Sequence, residues 1–346
     1  TKDDECDSRV VGSVGWRLPG SGGGGSPLTR PGMSGRTVVR AQSPTNGPSI
    51  SQWPRMFQPT QRSSRVFVTT QMTQTLEDNF ELLTDPATGA PIVILHLDSR
   101  AAVGGDGSFE SPFNSPQEAE AGTGAGAIIY AHAGSVFDNA TNNFIALQTN
   151  QRFLGEGVSH LINTDQLGMI SIPSTGDVGA LPTFQGGTGG ANMASILVAN
   201  GSTVSGFIIN NSVNSAILAN TTLTATANVE NTTINGANIG LNLQNPTGTF
   251  NFASTSTVNN STLIALNIDR AMSAANLTAN INGAINTNVG RAIRIDSLQA
   301  GDVVNINGLV THNGAGNAAG MPGTIDIQNS AGNINIANAN LTLTSA

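Results

Sequence analysis

Residues 261–270 read STLIALNIDR and residues 290–297 read GRAIRIDS. Each holds the order aliphatic, any, aliphatic, polar: Leu266-Asn267-Ile268-Asp269 and Ile293-Arg294-Ile295-Asp296. Alternation of this kind marks a strand with one face turned to a core. The pattern occurs three times before, in SILVAN, AILAN and GLNLQ, and once after, in TIDIQ. The leading aliphatic residues are Ile196, Ile217, Leu241, Leu266, Ile293 and Ile325, spaced by 21, 24, 25, 27 and 32 residues. Other short alternating runs lie between them, among them TVSGFII, NVENTTI, TFNF and DVVNING. A drifting period in the twenties, with about three strands per period and Asn or Gly at the corners, predicts a parallel β-helix. A leucine-rich repeat shares that period but needs an L-x-x-L-x-L-x-x-N frame, which this sequence does not keep.

One coil cannot bury its apolar side alone. Stacking coils at about 4.8 Å places aliphatic on aliphatic and pairs each backbone group with the coils above and below. Asparagine suits the corners because it tolerates left-handed backbone angles, and its amides can also stack as ladders along the axis. From Asn200 onward there are 29 Asn in 147 residues, enough to supply both uses. The N-x-S/T triplets at Asn139, Asn220, Asn231 and Asn276 match a glycosylation motif, and we read them as turn residues beside β-forming Thr.

Working outward, charge divides the chain. Residues 1–65 carry nine Lys/Arg and four Asp/Glu, and residues 66–346 carry five Arg and eighteen Asp/Glu. An acidic body without lysine excludes a nucleic-acid role, which rests on phosphate contacts. A single cysteine, Cys6, excludes an intrachain disulfide and any Cys-based metal cluster. No run approaches the roughly 18 apolar residues of a membrane helix.

Three segments are expected. Residues 1–65 form a basic Gly/Pro/Ser-rich leader with two strand-like islands. Residues 66–101 form a connection in which FELLTD and PIVILHLD flank the turn PATGA as a β-hairpin. Residues 102–346 form the β-helix, truncated at its end or continued in a longer parent, since NINIANANLTLTSA stops in mid-pattern. Within 104–122, GGDGSFESPFNSPQEAEAG, Asn114 or Ser115 caps a short helix that starts at Pro116 and ends near Ala121. Laid across the first coil, that helix would cover an edge that otherwise invites another chain.

The stretch 104–122, followed by AIIYAHAGSVF and LQTNQRFLGEGVSHLI, resembles the N-terminal cap and first coils of pectin-lyase-like right-handed β-helix proteins. The Gly-Asp-Gly turn, SPFNS, the His-Ala-Gly after a strand and Leu-Gly-Glu-Gly carry the likeness, over about 90–215. With SVGWRLPG and WPRMFQPTQRSSRVFVTTQ ahead of it, the combination looks like the passenger of bacterial inverse-autotransporter-type surface proteins. The resemblance implies an all-β, right-handed parallel β-helix with three strands per coil and a short capping helix. It also implies a location at the bacterial cell surface or outer membrane, or secretion, with the parent chain anchored by an outer-membrane barrel.

Because the superfamily includes sugar-cleaving enzymes, the stacked frame was searched for an acid pair. Asp269 and Asp296 share one outward position on successive coils, Arg270 follows Asp269, and Asp326 falls in register with Arg294. Two carboxylates about 5 Å apart have the spacing of a retaining glycosidase pair, and they could instead hold Ca²⁺. The favoured reading is an outward ladder of Arg–Asp pairs that keeps like charges from stacking unopposed, with no cofactor. His96, His132, His160 and His312 stand far apart in sequence, without metal-ligand spacing. His132 and His160 read as structural and Glu156 as a corner residue bonding turn amides; the glycine-rich GGTGG at 186–190 lacks the helix of a phosphate loop. The expected function is a non-enzymatic, structural or adhesive surface domain for a glycan or protein partner. The alternatives are a polysaccharide lyase or glycoside hydrolase using Asp269, Asp296 and Arg294, and homotypic end-to-end stacking.

Overall fold

The computed structural model describes residues 82–138, 144–173, 179–187, 194–272, 275–288, 290–314 and 324–343. The expected leader lies outside them, as do residues 66–81 of the hairpin connection and part of GGTGG. The described chain is a parallel β-solenoid of about 7 turns with three strands per coil.

The third face is the one that the repeated runs predict. It stacks Ile145–Ala146, Ala194–Val198, Ser215–Ala219, Ile239–Gln244, Ile264–Asp269, Arg291–Asp296 and Ile325–Gln328. Its register pairs Ile196 with Ile217, Ile217 with Leu241, Leu241 with Leu266, Leu266 with Ile293 and Ile293 with Ile325. These are the six residues that the period singled out, and the spacing drifts because the loops and the strands of the other faces vary in length while this register is kept. Ile196, Leu241, Leu266 and Ile293 have no solvent exposure. Burying each is worth up to about 1.5–3 kcal/mol.

The first face runs from Ile94–Leu97 through Ile128–Ala131, Arg152–Gly155, Thr203–Ser205, Thr222–Glu230, Thr247–Phe252 and Leu277–Ile281 to Val303–Gly314. The second stacks Val136–Phe137, Thr183–Gln185, Ile208–Asn210, Thr233–Asn235, Thr257–Asn259 and Ala284–Thr287, and joins the first through the long strand Val303–Gly314. Asparagines take the corners in left-handed geometry: Asn211 (φ 53°), Asn245 (φ 53°) and Asn260 (φ 51°).

Each face also carries an outward amide ladder. On the first, Asn251 donates to Asn228 (3.1 Å), Asn280 to Asn251 (2.8 Å), Asn305 to Asn280 (2.9 Å) and Asn335 to Asn305 (2.9 Å). On the second, the series is Asn210, Asn235, Asn259 and Asn286, at 2.9, 3.0 and 3.1 Å. On the third, Asn267 donates to Asn242 (2.8 Å) and Arg294 to Asn267 (3.0 Å).

The leading end is sealed. Helix Pro116–Gly122 is N-capped by Ser115, whose side chain accepts from Glu118 N, and Ala119 is buried in the core. Glu120 accepts from Ala146 N (2.9 Å), meeting a donor on the first strand of the third face. The loop before the helix does the same for strand Ile94–Leu97: His96 N donates to Gly107 O and Phe113 N to His96 O. Around the turn at 85–90 the chain makes one antiparallel bridge, Thr84 to Pro91, and the run PIVILHLD continues directly into that parallel strand.

One excursion breaks the parallel rule. His160–Thr164 and Gly168–Ile172 pair antiparallel and fold over the outside of the first face. Their Ile162, Ile170 and Ile172 cover Ile128, Tyr130 and Leu154, which form a second apolar cluster outside the solenoid. No helix among the described residues is long and apolar enough to cross a membrane.

Candidate functional site

The predicted acid pair is assembled as the register requires. Asp269 and Asp296 are partners on adjacent coils, and Asp326 is the partner of Arg294. The Arg294 guanidinium lies between the first two carboxylates, with Nη1 3.4 Å from Asp269 Oδ2 and Nη2 2.6 Å from Asp296 Oδ2. Asp269 Oδ1 accepts from Ala271 N, and Asp296 Oδ1 from Ser297 Oγ (3.0 Å) and Asn329 Nδ2 (3.2 Å). A Ca²⁺ ion would have to compete with Arg294 for these oxygens.

The remaining arginines of this region depart from the expected outward ladder. Asp326 pairs with Arg291 (2.7 Å) instead of with Arg294. Arg270 turns into the corner, fully buried, where Nε and Nη2 donate to Asp302 at 3.1 and 3.2 Å. It also donates to the carbonyls of Pro246 and Ala275. Asp302 further accepts from Leu277 N (2.7 Å) and Gln299 N (2.8 Å). Burial pushes the Asp302 carboxyl up, but the Arg270 and backbone hydrogen bonds outweigh it and hold the pKa below 3.8. Sequence reasoning passed over Asp302 because it lies outside the aligned runs.

A second cluster joins residues 36 positions apart. His96 Nδ1 and His132 Nε2 lie 2.9 Å apart, with ring centroids at 5.1 Å. That separation is close to the N–N distance plus two ring radii, so the nitrogens point at each other in a hydrogen bond and do not converge on a common ion. Asp98 Oδ2 stands 3.9 Å from His132 Nδ1 and is gripped by Arg100 through Nε (2.8 Å) and Nη2 (2.9 Å). Phe109 and Tyr130 pack against both rings. The Tyr130 hydroxyl is buried without a hydrogen-bond partner, and burial together with the Glu156 charge raises its pKa. Burial and the neighbouring His132 lower the pKa of His96. The register brings the two histidines near one another: Ile94 stacks on Ile128 and His96 on Tyr130, with His132 two residues further along the same face.

Glu156 accepts from Ala133 N (2.8 Å), the turn-amide bond expected of it. His160 is buried and bonds Gly155 O (2.7 Å); His312 is buried against Thr324. Among the described residues no group of three or more His, Cys, Asp or Glu is placed to hold a metal.

Along the first face, the amide ladder lines a groove of about 370 Å³ formed by Asn228, Glu230, Asn251, Asn280, Asn282 and Asn307. Asn307 donates to Asn282 (2.8 Å), which starts a parallel second column. An asparagine amide has two N–H donors and an oxygen with two lone pairs. A ladder rung uses one of each, so each coil presents a further donor and acceptor to the groove.

Protein-family models, curated proteins and solved structures were compared with this chain, and none matches.

Proposed function

We propose that this chain is a non-enzymatic recognition scaffold of a bacterial surface, binding a glycan or an extended protein segment along the amide-lined groove of its first face. The observation that carries this reading is the oriented row of Asn228, Asn251, Asn280 and Asn305, whose neighbours are one coil apart. Because each amide is held by the next, the row is pre-organised, and a partner ordering itself there meets polar groups already fixed. A polar groove repeating at the strand spacing suits a linear, hydroxyl- or amide-rich partner. The surface location draws on the resemblance to surface passengers, carried by SVGWRLPG and WPRMFQPTQRSSRVFVTTQ ahead of the stretch at 90–215.

The test is binding of the full chain to a panel of bacterial and host glycans and to extended peptides. Asn282→Ala and Asn307→Ala, alone and together, should weaken whichever interaction is found by about tenfold. Wild-type binding that survives the double substitution unchanged would place recognition elsewhere.

The register of Asp269 and Asp296 keeps a glycan-cleaving alternative in view. Turnover of polygalacturonate or a related glycan that disappears in Asp296→Asn would replace the scaffold reading. The Arg294 contacts on both carboxylates favour the scaffold, because the guanidinium occupies oxygens that a glycan or an attacking water would have to reach.

A further inference from the structure

A cleft of about 710 Å³ opens between the 85–93 segment, the loop at 122–127 and the antiparallel excursion. That volume falls within the range of about 300–1,000 Å³ typical of small-molecule sites. Its walls are mainly apolar, from Pro91, Ile92, Val93, Leu95, Ile128 and Ile162. One cation lines it, Arg152, on the outward side of the first face in register with Ile128.

Arg152 differs from every other arginine of the described chain. Arg100 pairs with Asp98, Arg270 with Asp302, Arg291 with Asp326 and Arg294 with both Asp269 and Asp296. Among the described residues Arg152 makes no such ion pair. Nη2 donates to Leu161 O at 3.0 Å, and Glu230 acts on it only through its field. Asp85 also lines the cleft, but its carboxylate accepts from Ala87 N (2.9 Å) and Thr88 Oγ1 (3.2 Å) in its own turn. A guanidinium has five N–H donors. Withdrawing such a charge from water without a counter-ion is unfavourable, and burial accordingly lowers its pKa. An anion that brings its own apolar body would relieve that deficit and cover the walls in one step.

We propose that this cleft binds a small amphiphilic carboxylate, with the carboxylate on Arg152 and the hydrocarbon against Ile92, Val93, Leu95, Ile128 and Ile162. The site is separate from the amide groove and does not depend on the function proposed for it. The single guanidinium suits one carboxylate, held by charge-assisted hydrogen bonds, while the apolar walls disfavour a compact polyanion.

The experiment titrates the full chain calorimetrically with sodium decanoate, decanol and decyltrimethylammonium, each below its aggregation concentration. Decanoate should bind at one site, at least tenfold more tightly than decanol, and the ammonium should not bind. Arg152→Met should lower decanoate affinity at least tenfold and leave decanol within about twofold. Gly124→Leu is the second variant: Gly124 lines the cleft and a Cβ there meets nothing within 4 Å, so the substitution forces no neighbour to shift and its added bulk narrows the cleft. It should abolish binding of both decanoate and decanol with unchanged circular dichroism. Equal affinity of the wild type for decanoate and decanol, absence of saturable decanoate binding, or a folded Arg152→Met that binds decanoate normally would each overturn the proposal. The comparison of the three amphiphiles on the wild type stands even if Arg152→Met fails to fold.

Discussion

The coils before residue 190 and those after it share one architecture but not one chemistry. The later coils hold mainly aliphatic columns inside, with Phe207, Phe250 and Phe252 among them, and amide ladders outside, and their three arginines, Arg270, Arg291 and Arg294, are all bound to aspartates. The earlier coils pack aromatics on one another, with Phe137 beside Phe184 at 5.2 Å and Phe153 edge-on to Phe184 at 5.9 Å, and Phe153 carries the stack across the boundary onto Phe207 at 4.2 Å. They also carry the capping helix, the antiparallel excursion, the histidine pair, the buried Tyr130 hydroxyl and the unpaired Arg152. Repetition lets the ladder asparagines satisfy one another from coil to coil. Where repetition breaks, polar groups must find other partners, as His96 and His132 do in each other; the regular coils offer a repeated amide groove, and the irregular ones offer single, isolated groups such as Arg152.

The sharpest way to break that contrast lies in the later coils. Asp302→Ala would leave Arg270 buried beside carbonyls alone, and should cost about 3–5 kcal/mol of stability by denaturant unfolding. A loss under about 1 kcal/mol would mean that the pair is not buried as described. Leu241→Ala, in the middle of an aliphatic column, should cost about 2–4 kcal/mol. Asn259→Ala interrupts a ladder that bonds both neighbours, and should cost about 1–2 kcal/mol. In the earlier coils, Ser115→Ala should cost about 1 kcal/mol, with faster amide exchange concentrated at 94–146.

The two regions should also answer acid differently. Burial lowers the pKa of His96, His160 and His312 below 6.5. Their contribution to stability is complete above pH 6.5. It declines as the pH falls below that value, because the unfolded chain then takes up protons that the folded chain does not, until the folded pKa is passed. Two of the three histidines lie before residue 190, so hydrogen exchange near pH 5 should quicken there first. Asp98 and Asp302 are held below 3.8 despite burial, by Arg100 and Arg270 respectively and by backbone hydrogen bonds. Their contributions persist above pH 3.8 and are lost only as the pH falls through the depressed values, so the later coils lose the Asp302 contribution in that lower window, where the earlier coils also lose that of Asp98.

The fold was legible where the period could be counted. Ile196 to Ile325 align by sequence and by register alike, because an aliphatic residue facing the solenoid axis has few alternatives. The same frame placed Asp269 opposite Asp296, and Ser115 and Pro116 at the start of the helix. The histidine pair was not legible, since it needs the stacking of Ile94 on Ile128 across the cap loop, where no repeated run marks the coil. Nor was the burial of Arg270: Asp269 and Arg270 are neighbours in sequence, but the corner turns one outward to Arg294 and the other inward to Asp302. Arg152 looked ordinary in sequence because an arginine's lack of a partner is a property of space.

The stacking itself is tested most directly by spin-label distances in a Cys6→Ser background. A label at Gln185 is paired in turn with labels at Asn259, Asn286 and Thr311, which the register of the second face places three, four and five coils away. At about 4.8 Å per coil the backbone separations should be about 14, 19 and 24 Å, rising in equal steps. Distances that fail to rise together, or that rise in unequal jumps, would contradict a solenoid built on columns one coil apart.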